Sequence, residues 1–251
     1  MPKQDKLIIL DLDGTVWDVG GFNIEASKAV FDGHNREGDI RNANSHGSTM
    51  YLVNKALMRL VVDAPTYGHI TGAMGRWINR GKELLDDDPN SLEPFRLYSG
   101  VTDLLSLLDK TAHLGIVSGN HRDLAQPILE YFSLEDIFTP ESQIYQDGFI
   151  GNGRISSIAA RASGIIICMM RQRQKGIKFN EVFYVGDAPT DIESANKADN
   201  VVSELSGIRV RGVAVAHTHT MNQLLAQNPA YCFENLKDHE HVANQILYGT
   251  Q

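Results

Sequence analysis

The sequence has 251 residues, of which 42% are hydrophobic and 22% charged, the balance of a globular chain able to bury a sizeable core. Its net charge of −8 argues against nucleic acid as a main partner, because affinity for phosphate backbones needs clustered Lys and Arg. Two cysteines without C-x-x-C spacing, Cys168 and Cys232, give neither a zinc site nor a disulfide framework. A signal-like apolar region and a bilayer-spanning run are both missing, so the expectation is a cytoplasmic protein without a membrane partner.

Leu7-Ile8-Ile9-Leu10 reads as a buried strand. It runs into Asp11-Leu12-Asp13-Gly14-Thr15, where alternation puts Asp11 and Asp13 on the same side. Two carboxylates that close call for a cation between them or a proton on one. Gly14 supplies freedom for a sharp exit. The segment from about Trp17 to Leu97 reads as a mostly helical insert. Leu52, Ala56, Leu57, Leu60 and Val61 fall at helical spacing, and Ile70, Met74, Trp77 and Ile78 make a second stripe. Asp86 to Asn90 is an acidic, breaker-rich linker.

From Leu97 onward strand and helix alternate. Helix is expected over 101–108, 124–132, 155–174 and 192–198, and in a short tail segment over 222–227. Strand is expected over 113–117, 182–185 and 213–216, with Phe138 in a short strand or turn and 146–149 in a turn. The fold class is therefore α/β: a Rossmann-like parallel sheet core, residues 1–17 and 97–251, with an inserted, mostly helical cap domain over 18–96.

Three strand ends carry polar residues: Asp11 and Asp13, then Ser118-Gly119-Asn120, then Gly186-Asp187-Ala188-Pro189-Thr190-Asp191. In a parallel sheet such ends share one edge, so the groups can converge in a crevice there. The order and spacing resemble the haloacid dehalogenase superfamily, in its phosphatase branch. Asp11 and Asp13 match D-x-D-G-T, Ser118 matches the Ser/Thr of the second motif, and Gly186 to Asp191 match G-D-x-x-x-D. Leu97-Tyr98-Ser99-Gly100-Val101 resembles the return from an inserted cap, as in phosphoglycolate-phosphatase-like members.

The resemblance implies a phosphatase acting on a small phosphorylated metabolite through an aspartyl-phosphate. Asp11 would be the nucleophile. Asp13 would be the general acid and base. Mg²⁺ would be held by Asp11, Asp187 and the backbone carbonyl of Asp13, with Asp191 acting through water or as an orienting group. Ser118 and Gly119 would hold phosphoryl oxygens. The family's third motif supplies a Lys, and at the matching distance this chain has Arg161, taken as a catalytic and substrate-binding cation in preference to Lys175. A phosphosugar mutase and a non-catalytic binding member are the alternatives, and oligomeric state is left open.

Other features are assigned bland roles. The basic run Arg171, Arg173, Lys175 and Lys178 reads as cations at a helix C-terminus. His217 and His219 read as surface loop residues, Trp77 as core of the insert, and Cys168 as a small buried hydrophobe. Arg41, His46, Gly47, Ser48 and Arg76 are conceivable contacts from the insert, each more simply surface.

Overall fold

The computed structural model describes residues 3–19, 21–31, 38–40, 55–60, 62–86, 95–145 and 156–249. Its strands are β1 (Lys6–Leu10), β2 (Trp17–Asp18), β3 (Arg96–Leu97), β4 (His113–Val117), β5 (Gln143–Ile144), β6 (Glu181–Gly186), β7 (Arg209–Val215) and β8 (Tyr231–Phe233). Six of them form one sheet in the order β5-β4-β1-β6-β7-β8, every neighbouring pair parallel. Residues 7–10 of β1 are all buried. Leu7 and Ile9 enter one apolar cluster and Ile8 and Leu10 the other, as a period of two demands of a strand covered on both faces.

The helices are α1 (Phe22–Lys28), α2 (Tyr67–Asp86), α3 (Val101–Thr111), α4 (Arg122–Tyr131), α5 (Ser157–Gln174), α6 (Pro189–Ser206), α7 (Met221–Leu225) and α8 (His239–Tyr248). Apolar stripes of α3, α4 and α8 cover the Ile8 face, and those of α5 and α6 cover the Leu7 face. This is the expected Rossmann-like α/β architecture. From β1 the sheet grows outward through β4 and β5, then reverses to grow through β6, β7 and β8. The reversal makes the carboxyl end of β1 a topological switch point, where open α/β sheets form their crevices.

Between β2 and β3, α1 packs against α2, and Phe22, Ala26, Ile70, Ala73, Met74 and Trp77 join the same cluster as Ile8 and Leu10. β2 and β3 pair antiparallel, Trp17 opposite Leu97 and Asp18 opposite Arg96. The chain thus leaves for the insert and returns from it side by side. Lys82 of α2 bonds Asp123 at the start of α4 at 2.5 Å. Among the described residues no helix is long and apolar enough to cross a membrane.

Several elements differ from expectation. In the 55–60 segment Leu57 and Met58 are buried, whereas Leu60 is 44% exposed and Ala56 is exposed, so the apolar stripe is rotated from the one the spacing suggested. Phe138 lies in a bend, and the edge strand follows it at Gln143. Helix α6 begins at Pro189, suited to a first helical position, and runs to Ser206. Strand β8 and helix α8 were not anticipated. Yet α8 carries an apolar stripe of Val242, Ala243, Ile246 and Leu247, and Asp238 caps it by accepting from the His241 N–H at 3.1 Å. Leu52, Val61, the linker beyond Asp86, the turn at 146–149, and Arg41, His46, Gly47 and Ser48 lie outside the described residues. Arg76 is described, with Nη2 3.8 Å from Met58 Sδ within the insert.

Candidate active site

The buried polar residues Asp11, Ser118, Asn120, Arg161, Asp187 and Asp191 come from strand ends and helix starts at one edge of the sheet. Asp11 leaves β1 and stays tied to it, its N–H donating to Val185 O at 2.9 Å. Its Oδ2 accepts from Arg161 Nη1 at 2.9 Å, and the same nitrogen bonds Asp191. Oδ1 of Asp11 is buried with no hydrogen-bond partner. Arg161 sits in the first turns of α5, 4% exposed, near Tyr184, whose hydroxyl lies 3.4 Å from Nη1 and donates to Val117 O at 2.9 Å. Burial works against the guanidinium charge, but Asp11, Tyr184 and Asp187 outweigh it and hold the proton more firmly than usual. Lys175, the weighed alternative, points elsewhere and pairs with Glu141 at 2.6 Å.

Carboxylate oxygens of Asp11, Asp187 and Asp191 all lie within 4.8 Å of one another. Asp187 Oδ1 accepts from Thr15 Oγ1 at 2.9 Å, and Oδ2 accepts from Thr218 Oγ1. Burial, then the Asp11 charge, pushes its pKa up to about 7 from 3.8. Asp191 Oδ2 accepts from the Ala188 N–H at 3.0 Å, so this acid both caps α6 and holds Arg161. Two glycines make room for these groups. Gly14 has φ +81°, a region L side chains avoid, and a Cβ there would collide with the Asp187 carboxylate. A Cβ on Gly186 would collide with the Asp191 carboxylate.

Three carboxylates against one guanidinium leave an excess negative charge that a divalent cation would balance. The donors are all oxygen, the set a hard ion prefers, and Asp11 Oδ1 is a buried acceptor lacking a donor. The residues therefore fit such an ion. The Asp13 carboxylate lies outside this group of three. Its Oδ1 accepts from Trp17 Nε1 at 2.7 Å, and its Oδ2 accepts from Asn23 Nδ2 and Asn120 Nδ2, each at 3.1 Å. Burial raises its pKa, against the lowering pull of these donors. Ser118 Oγ accepts from the Asn120 N–H at 3.3 Å and keeps its own hydrogen to donate. Gly119, beside it, adds no side chain.

The loop after β7 differs from the expected surface loop. His217 and His219 are half-buried and engaged with the site. Nδ1 of His217 lies 3.1 Å from the Gly14 carbonyl oxygen, with its ring stacked on Tyr98 at 3.8 Å between centroids. Burial lowers the His217 pKa, which suits a neutral ring donating one N–H to that carbonyl. Nδ1 of His219 lies 3.1 Å from the Asp187 carbonyl oxygen. Thr15 and Asn120 carry a local signal, since they lie in Asp11-Leu12-Asp13-Gly14-Thr15 and Ser118-Gly119-Asn120. Asn23 and Thr218 carry no local signal and are brought in by tertiary packing alone.

The profile of the haloacid dehalogenase-like hydrolases matches residues 6–199. The chain belongs to this family. No curated protein matches the sequence. Among solved structures, it is similar to a haloacid dehalogenase-like hydrolase from Bacteroides fragilis, with TM-score 0.69 and 15% identity over 94% of this chain and 99% of that one. A candidate phosphoglycolate phosphatase from Lactobacillus plantarum gives TM-score 0.65 and 13% identity over 96% and 100%. A candidate β-phosphoglucomutase from Bacteroides vulgatus gives 0.63 and 13% over 98% and 91%. At these identities the likenesses speak to fold. Membership of the haloacid dehalogenase-like hydrolases rests on the profile, and the carboxylates and Arg161 described above all fall inside the matched residues.

Proposed function

We propose that this hydrolase is a Mg²⁺-dependent phosphomonoesterase acting on a small phosphorylated metabolite in the cytoplasm. The observation that carries the reading is the state of Asp11. One oxygen is fixed by Arg161, while the other is buried, unpartnered and within a cluster of acids at the sheet's switch point. Asp11 attacks phosphorus through a carboxylate oxygen, forming the acyl phosphate as the ester P–O bond breaks. The departing oxygen keeps that bond's electrons and takes a proton from Asp13. Water then attacks the acyl phosphate and gives a proton to Asp13, releasing phosphate and restoring the Asp11 carboxylate. Ser118 and the backbone at Gly119 hold phosphoryl oxygens, and Arg161 offsets charge as phosphate approaches. Mg²⁺ held by Asp11, Asp187 and the Asp13 carbonyl, with Asp191 behind, would neutralise the anions that must meet. Residues 18–96 act as the cap domain that excludes water and meets the leaving group, over a core of 1–17 and 97–251.

Phosphate release is to be measured from an aryl phosphate and a panel of small phosphomonoesters, with Mg²⁺ and with chelator, beside Asp11→Asn. Metal-dependent release lost in the variant is the expected result. Folded, metal-loaded protein that releases no phosphate, or returns it to an isomerised sugar, overturns the reading.

A further inference from the structure

Asp13 is surrounded by hydrogen-bond donors. Trp17, Asn23 and Asn120 together give its two oxygens four N–H contacts between 2.7 and 3.4 Å, and none of these groups is placed to accept. That shell suits a carboxylate. The reaction proposed above requires the same side chain to carry a proton at one stage, and a carboxylic acid facing only donors would be in conflict with one of them.

The three donors differ in whether they can yield. The indole of Trp17 has a hydrogen to give and no acceptor. The Asn120 amide is locked from its other end, because its Oδ1 accepts from the His121 N–H at 2.8 Å. Asn23 is not locked. Its Nδ2 donates to Asp13 Oδ2, while its Oδ1 is buried with no hydrogen-bond partner, a costly state for an amide oxygen. A half-turn of that amide brings Oδ1 to Asp13 and sacrifices no other bond. Asn23 sits in the first turn of α1, beside Phe22, which is packed in the insert's core. The helix can hold its Cα still while the amide turns.

We propose that Asn23 is a positioning residue for Asp13, its amide donating to the carboxylate and turning over to accept from the acid. This deepens the phosphomonoesterase reading and rests on it. Asn23 touches neither phosphorus nor the leaving oxygen, and its effect passes through Asp13. The consequence is selective. An ester with a poor leaving group needs the proton of Asp13 as its P–O bond breaks, whereas nitrophenolate departs without help.

The test compares kcat/KM for a series of alkyl and aryl phosphates spanning leaving-group basicity, in the full-length protein with Mg²⁺ and in Asn23→Leu. Asn23→Ser, which keeps a donor and acceptor in one hydroxyl, runs beside it, with circular dichroism to establish folding. The expected result is a loss on the order of 10- to 100-fold for alkyl phosphates. Nitrophenyl phosphate should fall less than about threefold, and Asn23→Ser should recover part of the alkyl rate. A fall of equal size across the whole series, or no fall, in folded variants overturns the positioning role while leaving the phosphatase reading intact. Failure of the parent protein to release phosphate from any ester overturns both. Should Asn23→Leu not fold, the slope of the Asn23→Ser series decides: a slope matching the parent's at a lower overall rate counts against the proposal, and a steeper one supports it.

Discussion

Asp11 and Asp13 are separated by one residue, yet the fold gives them opposite surroundings. Asp11 faces charges: Arg161 on one oxygen, Asp187 and Asp191 nearby, and nothing on its other oxygen. Asp13 faces neutral N–H groups from an indole and two amides. A carboxylate balanced by a fixed cation stays ionised until it attacks. One balanced by dipoles can take up a proton without leaving a buried cation unpaired. Identity of residue type says little about role here, and the partners decide it.

The difference can be broken most sharply by removing each carboxylate. Asp11→Asn should abolish phosphate release from every ester, by at least about 10³-fold, as expected for loss of a nucleophile. Asp13→Asn should cost about 10²- to 10⁴-fold with alkyl phosphates and far less in kcat/KM with nitrophenyl phosphate. Rates measured across the same ester series check both, and a uniform loss in Asp13→Asn would erase the distinction.

The charged side can be tested through stability. Arg161→Leu leaves the Asp11 and Asp191 carboxylates buried without their cation and should cost about 3–5 kcal/mol in urea unfolding, with Arg161→Lys costing less. The pH dependence has a defined sign. In the folded, metal-free chain Asp187 keeps its proton up to about pH 7, against an ordinary value of 3.8. Folding therefore takes up a proton between these values, and stability contributed by the protonated form is lost as pH rises from about 4 to about 7. Thermal melts of metal-free protein should show that fall, and Mg²⁺ should counter it at pH 8. Gly14→Ala should weaken Mg²⁺ binding by about 10- to 100-fold in calorimetry, because its Cβ displaces the Asp187 carboxylate. The smallest effect is expected at Lys82→Ala. Its ion pair with Asp123 is nearly half exposed on both sides, and thermal unfolding should register less than about 1 kcal/mol.

The central strands and the acids at their ends were legible because they obey local rules. Each is an uninterrupted apolar run stopped by Asp, Ser or Gly-Asp, and a strand buried on both faces has to look that way. The tail was harder. Three-residue β8 is half-buried and gives no alternation to detect, while α8 carries a stripe and a cap in so short a span that it stands out little from the loop before it. In the insert, Leu57 and Leu60 share a helical spacing, but Leu57 alone is buried, because the packing partner rather than the period picks the face. Site residues split along the same line. Asp11, Ser118, Asp187 and Asp191 sit in motifs, whereas Thr218 meets Asp187 only once β7 lies beside β6, and Asn23 meets Asp13 only once α1 folds back over β1's end.

The two-stranded pairing of β2 with β3 has a consequence for how such a chain can be altered. Because Asp18 stands opposite Arg96, the chain enters and leaves the insert at a single doorway. A tight two-residue turn could join those positions in a hairpin, and a different module could equally be spliced there, without asking the six-stranded sheet to change its register. A module exchanged at the doorway would have to replace the contacts that Phe22, Asn23 and Lys82 make with the rest of the molecule. Asp11 and Asp187, carried by the ends of β1 and β6, would stay where they are.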